Sequence, residues 1–257
     1  LLLALSAYSV AASDEIAVIE GPLLGGARPR GVLRNLGMSR LPLERLADQV
    51  AASLDKRGGR RVTGRGRRSI GPFPAVRLGL GVEEGGGRGR GRMTLVRLGL
   101  KVFSLELSAP TSNFPSGAYE QIEASLEVRW TRRTTPTGLA LELPPGWTVE
   151  EKGARRLVVA GPVVGAGRPM VVVERPEPGA KPAPETGSLG PVLRFLRRRL
   201  KTRRVERCRE GATLVRVAFR TEGWAGGVII PAEVYDDHWP VAAAILERMA
   251  PVPVGPG

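Results

Sequence analysis

The stretch GPLLGGARPRGV at residues 21–32 occurs a second time, in altered form, in this chain of 257 residues. The second copy, GPVVGAGRPMVV at residues 161–172, keeps the Gly-Pro pair, two aliphatic residues and the Arg-Pro pair. Both pairs are displaced by the same 140 residues (161−21 and 169−29). Similarity at so long an interval predicts an internal duplication, which would set the fold of both halves.

An amphipathic helix is predicted after each copy of this motif. Its apolar residues recur at intervals of three and four, which is the pattern of a helix that packs on a core. The apolar residues are Leu43, Leu46, Ala47, Val50 and Leu54 in the first half, and Leu189, Val192, Leu193, Leu196 and Leu200 in the second.

Two more blocks match in the same order. PAVRLGL at residues 74–80 matches TLVRVAF at residues 213–219, and each half closes with an aromatic-proline pair, Phe114-Pro115 and Trp239-Pro240. Proline is favoured at the first helical position, so each pair predicts the start of a last helix. The sequence therefore predicts two copies of one domain, the second without a counterpart of the strand at residues 94–98.

The predicted domain boundaries follow from composition. The stretch RWTRRTTPTG at residues 129–138 has no apolar periodicity, which is typical of a connection between domains. The glycine-rich run EEGGGRGRGR at residues 83–92 predicts a hairpin loop. We therefore predict a first domain at residues 1–130, a linker at 131–138, a second domain at 139–251 and a disordered tail at 252–257.

Residues 1–13, LLLALSAYSVAAS, allow two interpretations. An apolar run that ends in small residues is typical of a signal peptide, which would place the protein in the cell envelope or outside the cell. The same run aligns with LALELPPGWTV at residues 139–149, which makes it the first strand pair of a cytoplasmic protein. We favour the strands, because the first domain otherwise lacks elements that the second has. The run is too short to cross a bilayer, and no later stretch predicts a transmembrane segment.

Composition limits the chemistry that the chain can perform. Hydrophobic residues make up 42% of it, enough for two cores of about 100–130 residues each. The single cysteine, Cys208, excludes an intrachain disulfide, and with the single histidine, His238, it excludes a zinc site of His and Cys within one chain. Neither residue has a sequence partner that would pair a nucleophile with a base. We therefore expect no cofactor or metal and no enzymatic activity.

Positive charge is the main functional signal. The chain has 39 basic and 25 acidic residues, a net charge of +14, with basic clusters at residues 56–68 and 194–209. Both clusters are predicted at the C-terminal end of a helix and in the loop after it, where cations complement the helix dipole on a solvated face. The alternative is a surface that binds an anionic partner. A GC-rich coding sequence also favours arginine, which would explain the positive charge without a binding role. The candidate residues for a binding surface are Lys56, Arg57, Arg60, Arg61, Arg65, Arg67, Arg68, Arg194, Arg197, Arg198, Arg199, Lys201, Arg203 and Arg204.

The order of elements in each half is strands, a helix, an antiparallel meander and a closing helix. Together with LPPGW at residues 143–147 and LELSAPTSNFPSGAYEQIEASLEV at residues 105–128, this order resembles the PsbP/DcrB/LpqN-like superfamily. The resemblance implies an α+β fold of two tandem α/β/α sandwiches, each a mainly antiparallel sheet with two principal helices. The lipobox cysteine of the superfamily's lipoproteins is missing, so the sequence gives no support to a lipid anchor.

The resemblance also implies a class of function. Members of the superfamily are mostly non-enzymatic accessory factors, so we expect a bacterial binding or scaffolding protein that acts on a protein partner or an anionic surface. One alternative is a cytoplasmic adaptor or chaperone for apolar segments of secreted proteins. Another is nucleic-acid binding through the arginine clusters. Single strands usually stack on aromatic side chains, and Phe195 is the only aromatic residue in either cluster, so nucleic acid is not favoured.

Overall fold

A computed structural model gives the fold of the chain. The chain divides into two compact units, Leu1–Val128 and Arg129–Gly257, called here the first and second units. Sheets are mainly antiparallel and helices are few, so the fold class is α+β, as predicted. In the part of the chain that the structure describes, no helix is long and apolar enough to span a membrane. The structure describes residues 9–13, 16–20, 29–84, 87–110, 114–135, 137–151, 155–165, 167–175, 204–207, 213–221 and 224–251.

The first unit is built on a seven-stranded antiparallel sheet with two helices. The strands are β1 (Ser9–Ser13), β2 (Ile16–Glu20), β3 (Arg30–Met38), β4 (Arg60–Ile70), β5 (Phe73–Glu84), β6 (Gly87–Leu98) and β7 (Lys101–Pro110), and the helices are α1 (Leu43–Arg57) and α2 (Ser116–Ala124). The strand order is β1-β2-β3-β7-β6-β5-β4. After α1, the chain therefore starts again at the far edge of the sheet and returns strand by strand to pair with β3.

Helix α1 packs on one face of this sheet. The predicted stripe residues Leu43, Leu46, Ala47 and Leu54 are buried, and they meet the alternating apolar residues of β5, of which Leu78 is fully buried. Because side chains of a strand alternate between faces, the neighbour Arg77 points to the other face. There the guanidinium of Arg77 contacts the carboxylate of Glu123 on α2. The two helices thus cover opposite faces of the sheet.

The second unit contains two antiparallel sheets. Its strands are β8 (Thr131–Thr134), β9 (Leu139–Leu143), β10 (Thr148–Glu151), β11 (Arg156–Ala160), β12 (Met170–Glu174), β13 (Arg204–Arg207), β14 (Thr213–Thr221), β15 (Trp224–Pro231) and β16 (Ala250–Pro251). A 3₁₀ turn at Ala232–Val234 leads into the helix α3 (Tyr235–Glu247). The strand orders are β10-β11-β12-β15-β14-β13 and β16-β9-β8. The predicted helix at Leu189–Leu200 and the predicted tail lie outside the described residues.

The predicted linker is wrong in its first half. Thr131–Thr134 forms β8, which pairs with Leu139–Leu143 in antiparallel register. All four residues of β8 are exposed, so no apolar periodicity signals the strand. Its pairing satisfies backbone groups, which depends little on which side chains face the solvent.

The predicted hairpin loop at residues 83–92 is also corrected. Glycine and arginine alternate from Gly87 to Arg92, and this part is the beginning of β6, paired with β5 along its length. The loop was predicted from the number of glycines, although their alternation with arginine has the period of two that is typical of a strand. The predicted loop within residues 56–68 is corrected for the same reason, because Arg60–Ile70 forms the long strand β4.

Two details of the predicted duplication are not reproduced. PAVRLGL lies in β5, and two strands, β7 and β6, separate β5 from β3. TLVRVAF lies in β14, and one strand, β15, separates β14 from β12. These matched blocks therefore occupy different sheet positions.

Helix α3 begins at Tyr235, so Pro240 lies inside the helix and Asp236 and Asp237 lie in its first turn, where their charge complements the helix dipole.

Candidate functional site

The basic cluster at residues 56–68 lies mostly on the edge strand β4, and the strand divides it between two faces. Arg65 and Arg67 pair with Leu78 and Val76 of β5, so they lie on the face covered by α1. Arg61 and Arg68 pair with Gly81 and Ala75, so they lie on the face that carries α2. The cluster is therefore not one continuous surface.

The arginines on the α1 face are bound to acidic side chains of that helix. The guanidinium of Arg65 contacts the carboxylates of Glu44 and Asp48, and Arg67 Nε lies 2.7 Å from Glu44 Oε1. Burial would lower the pKa of Arg65, but its hydrogen bonds and attraction to Asp48 and Glu44 outweigh burial and raise that pKa. These two arginines hold β4 against α1.

Arg60 also has a structural role. Its Nη2 lies 3.2 Å from Oε1 of Glu106, a carboxylate on β7 whose side chain is only 4% exposed. Arg34 Nη1 of β3 lies 3.1 Å from the other oxygen of the same carboxylate. A buried carboxylate needs such partners, because an isolated charge in the interior is strongly unfavourable. The charge of Arg60 is thus committed inside the first unit.

Arg61 lines a groove on the α2 face, together with arginines of β6. In the sheet register, Arg61 of β4 pairs with Gly81 of β5, and Gly81 pairs with Arg90 of β6. The two arginines are therefore two strand spacings, about 9–10 Å, apart, and Gly81, which lies between them in this row, has no side chain. The groove has a volume of about 1060 Å³, and its floor includes the backbone of Gly79 and Gly81, beside which the side chain of Thr63 lies. We call it the glycine groove.

Arg61 and Arg90 are arginines of the glycine groove whose charges are available to bind a ligand. Both side chains are exposed, and no ion pair joins either of them to another described residue. Two acidic residues, Asp55 and Glu83, also line the groove, and Asp55 Oδ1 accepts a hydrogen bond of 3.1 Å from the Val62 N–H. Five arginines line the same groove. Because Arg60 already pairs with Glu106, the excess of positive charge over these two acidic residues comes from the other four: Arg61, Arg88, Arg90 and Arg92.

Helix α2 closes one end of the glycine groove. Arg92 Nη1 lies 3.4 Å from Glu120 Oε1, and its guanidinium carbon lies 5.3 Å from the centre of the Phe114 ring. Phe114 and Ser116 line the groove at the start of α2, where no side chain caps the helix. The positive end of the helix dipole adds positive potential at this end.

The other predicted site residues are placed as follows. Lys56 is exposed at the end of α1, and Arg57 ends the same helix. Arg204 begins β13. The remaining predicted members of the second cluster, and Cys208, lie outside the described residues: Arg194, Arg197, Arg198, Arg199, Lys201 and Arg203.

His238 belongs to the core of the second unit. Its side chain is 4% exposed, and its ring lies 6.3 Å from the ring of Trp147 in an edge-on arrangement. Within the described ranges, no three His, Cys, Asp or Glu side chains lie close enough together to hold a metal ion. The buried histidine therefore contributes to the packing of the second unit.

Sequence reasoning missed Arg88, Arg90 and Arg92 as site residues. The signal was present, because GRGRGR alternates with a period of two, which is the period of a strand. An arginine on every second residue, one strand away from the arginine-rich strand β4 in an antiparallel meander, would have placed these side chains on a common face. Only the pairing register could show that Gly81 separates Arg61 from Arg90.

Comparison with known proteins gives fold neighbours only at a distance. No protein-family model matches the chain, and no curated protein matches it. The chain is similar to the crystal structure of PA94 from Pseudomonas aeruginosa, a protein of unknown function, with 19% identity, a TM-score of 0.37, and coverage of 49% of this chain and 100% of that one. It is also similar to MucB in its complex with MucA(peri), with 17% identity, a TM-score of 0.20, and coverage of 95% and 91% respectively.

Proposed function

We propose that this protein is a non-catalytic binding protein that holds an acidic segment of a protein partner in the glycine groove. The observation that carries the proposal is the row Arg61, Gly81, Arg90 across three neighbouring strands. A carboxylate that enters over Gly81 can accept charge-assisted hydrogen bonds from both guanidinium groups at once. The absent side chain of glycine makes room for that approach.

The described part of the groove lining supports a binding role, because it contains neither a histidine nor a cysteine. Its hydroxyl groups belong to Thr63 and Ser116, and no hydrogen bond joins either of them to the carboxylates of Asp55 or Glu83. Acyl or phosphoryl transfer by a hydroxyl needs a base within hydrogen-bond reach. A positive groove without that pair is suited to recognition.

The aromatic content of the groove favours a protein ligand over nucleic acid. Phe114 is the only aromatic residue in the described part of the lining, and that ring already faces the Arg92 guanidinium. Single-stranded nucleic acid usually stacks successive bases on several aromatic side chains. Carboxylates require only the paired guanidinium groups that the groove provides.

The proposal includes a tandem architecture of the PsbP/DcrB-like type, with two α/β/α sandwiches from an internal duplication. In each unit, three antiparallel strands are followed by a meander whose last strand pairs with the third, β7 with β3 and β15 with β12. The described meander has four strands in the first unit and three in the second. This shared strand order supports the duplication. The different positions of PAVRLGL and TLVRVAF limit the support that sequence similarity adds.

A salt titration tests the binding role. Fluorescence anisotropy with a labelled decapeptide of glutamate should give an affinity that falls as salt is raised from 50 to 200 mM. The double variant Arg61→Ser, Arg90→Ser should bind roughly tenfold more weakly, because charge-assisted hydrogen bonds are lost. The control Arg40→Ser, Arg45→Ser removes the same charge from exposed positions outside the groove and should bind as the parent protein does. Equal losses in both variants would contradict a role for the groove.

A further inference from the structure

Strand β4 is the last strand of its sheet. It spans 11 residues, Arg60–Ile70, and pairs with β5 on one side, while no described strand pairs with the other side. Alternate residues of an edge strand direct backbone N–H and C=O groups outward, where another extended chain can pair with them. Such long edges are uncommon without a covering element.

Only part of the β4 edge is open to such pairing. A bulge interrupts the register between Val62 and Gly64, and the Val62 N–H already donates to the Asp55 carboxylate on α1. From Gly64 to Ile70 the register with β5 is regular. This regular part is about 20 Å long, which is the length of an ordinary strand.

The charges on β4 select what can pair with this edge. Arginines stand on both faces, so a second copy of the strand would place like charges side by side, which destabilises a sheet. On the α1 face, Glu44 and Asp48 already pair with Arg65 and Arg67. On the α2 face, Arg68 is exposed and no ion pair joins it to another described residue. The unbalanced charge therefore lies on the α2 face alone.

We propose that the acidic partner segment binds as an added strand along residues 64–69 of β4, with its acidic side chains at alternate positions on the α2 face. This inference rests on the proposed function and specifies how the same partner is held. Backbone hydrogen bonds to the edge supply affinity, and a carboxylate beside Arg68 supplies selectivity. Where the segment continues past Gly64, a further carboxylate reaches Arg61 in the glycine groove. The other face of the segment carries neutral side chains, because the charges of Arg65 and Arg67 are already balanced.

Backbone methylation separates strand addition from simple charge attraction. The probe is a decapeptide of alternating Glu and Val, and its matched control is the same peptide with N-methyl groups on its central amides. The control keeps every charge but cannot pair with an edge strand. The parent peptide should bind at least about tenfold more tightly than the control. It should also slow hydrogen exchange of the amides at residues 64–69.

The outcomes distinguish the two proposals. If both peptides bind with equal affinity and the variant Arg61→Ser, Arg90→Ser still binds more weakly than the parent protein, strand addition is overturned. The acidic-segment proposal then stands. Preference for the unmethylated peptide without that loss keeps strand addition and overturns the role of the groove. If neither peptide binds, or if a single-stranded DNA decamer binds more tightly than the unmethylated peptide, both proposals fail.

Discussion

The guanidinium of Arg60, on the edge strand β4, lies 3.2 Å from the carboxylate of Glu106, which is on β7 with β5 and β6 between them. The next residue, Arg61, lies on the opposite face of the same strand and lines the glycine groove. Two neighbouring arginines of one basic cluster therefore have different roles. The first stabilises the fold, and in our proposal the second binds the ligand.

Alanine substitutions should separate these two roles. Arg60→Ala removes one of two cations from the buried Glu106 carboxylate, so the free energy of unfolding should fall by about 1–3 kcal/mol. Arg61→Ala removes an exposed side chain and should change it by less than about 0.5 kcal/mol. Affinity for the glutamate decapeptide should fall in Arg61→Ala only. Urea unfolding and anisotropy on the same two proteins measure both effects, and a reversed pattern would contradict the assignment.

The buried carboxylate of Glu123 should be essential for the stability of the first unit. It contacts the guanidinium of Arg77 and the hydroxyl of Thr94, and its side chain is 8% exposed. Glu123→Ala leaves Arg77 as a largely buried charge without its acid, which should cost about 3–5 kcal/mol. The control is Glu120→Ala, whose side chain is 61% exposed and pairs with Arg92, and it should cost less than about 1 kcal/mol. Similar urea midpoints of unfolding for the two variants would show that the buried Arg77–Glu123 pair contributes no more to stability than the exposed Arg92–Glu120 pair.

Two glycines of the β5–β6 hairpin should respond differently to alanine. A Cβ at Gly91 would lie 3.0 Å from the carbonyl oxygen of Leu107, a backbone atom that cannot move without disturbing the sheet. Gly91→Ala should therefore destabilise the first unit by about 1–3 kcal/mol. A Cβ at Gly81 would lie 3.5 Å from the Thr63 methyl and 3.8 Å from the Arg61 carbonyl oxygen, which are ordinary contact distances, so Gly81→Ala should fold normally. Thermal unfolding measures the difference, and a stable Gly91→Ala would indicate a looser sheet at that point.

The core under α1 should show the usual cost of a cavity. Leu78 is fully buried between β5 and that helix, and Leu78→Ala should lower the free energy of unfolding by about 2–5 kcal/mol. Leu36→Ala provides the matched control, because Leu36 is 45% exposed and its truncation should cost less than about 1 kcal/mol. Equal costs, measured by urea unfolding monitored by circular dichroism, would mean that α1 does not cover Leu78.

Some of this fold could be read from the sequence. The stripe from Leu43 to Leu54 predicted α1 and its buried face correctly, because apolar periodicity reports directly on what a helix packs against. The alternation of apolar residues with arginine and glycine at residues 76–82 is a second signal of this kind, and the stretch is part of strand β5. Both signals are local, so a single sequence is sufficient to detect them.

The parts that could not be predicted depend on pairing between distant segments. Thr131–Thr134 is a strand because Leu139–Leu143 lies beside it, and its own exposed side chains carry no such signal. The division of the basic cluster into a structural and a binding set depends on the bulge at Val62 to Gly64, which shifts the later arginines between faces. Residue counts at residues 56–68 therefore located the positive charge but could not assign each arginine its role.

Charge reversal tests the central claim most directly. In the variant Arg61→Glu, Arg90→Glu the groove keeps its glycine floor and exchanges its two free cations for carboxylates. The account predicts that the parent protein binds the glutamate decapeptide and not a lysine decapeptide, and that the variant reverses this preference. The same reversal at Arg40 and Arg45, exposed residues outside the groove, should leave the preference for glutamate unchanged. A groove variant that still prefers the glutamate peptide would contradict the claim that Arg61 and Arg90 form the binding site.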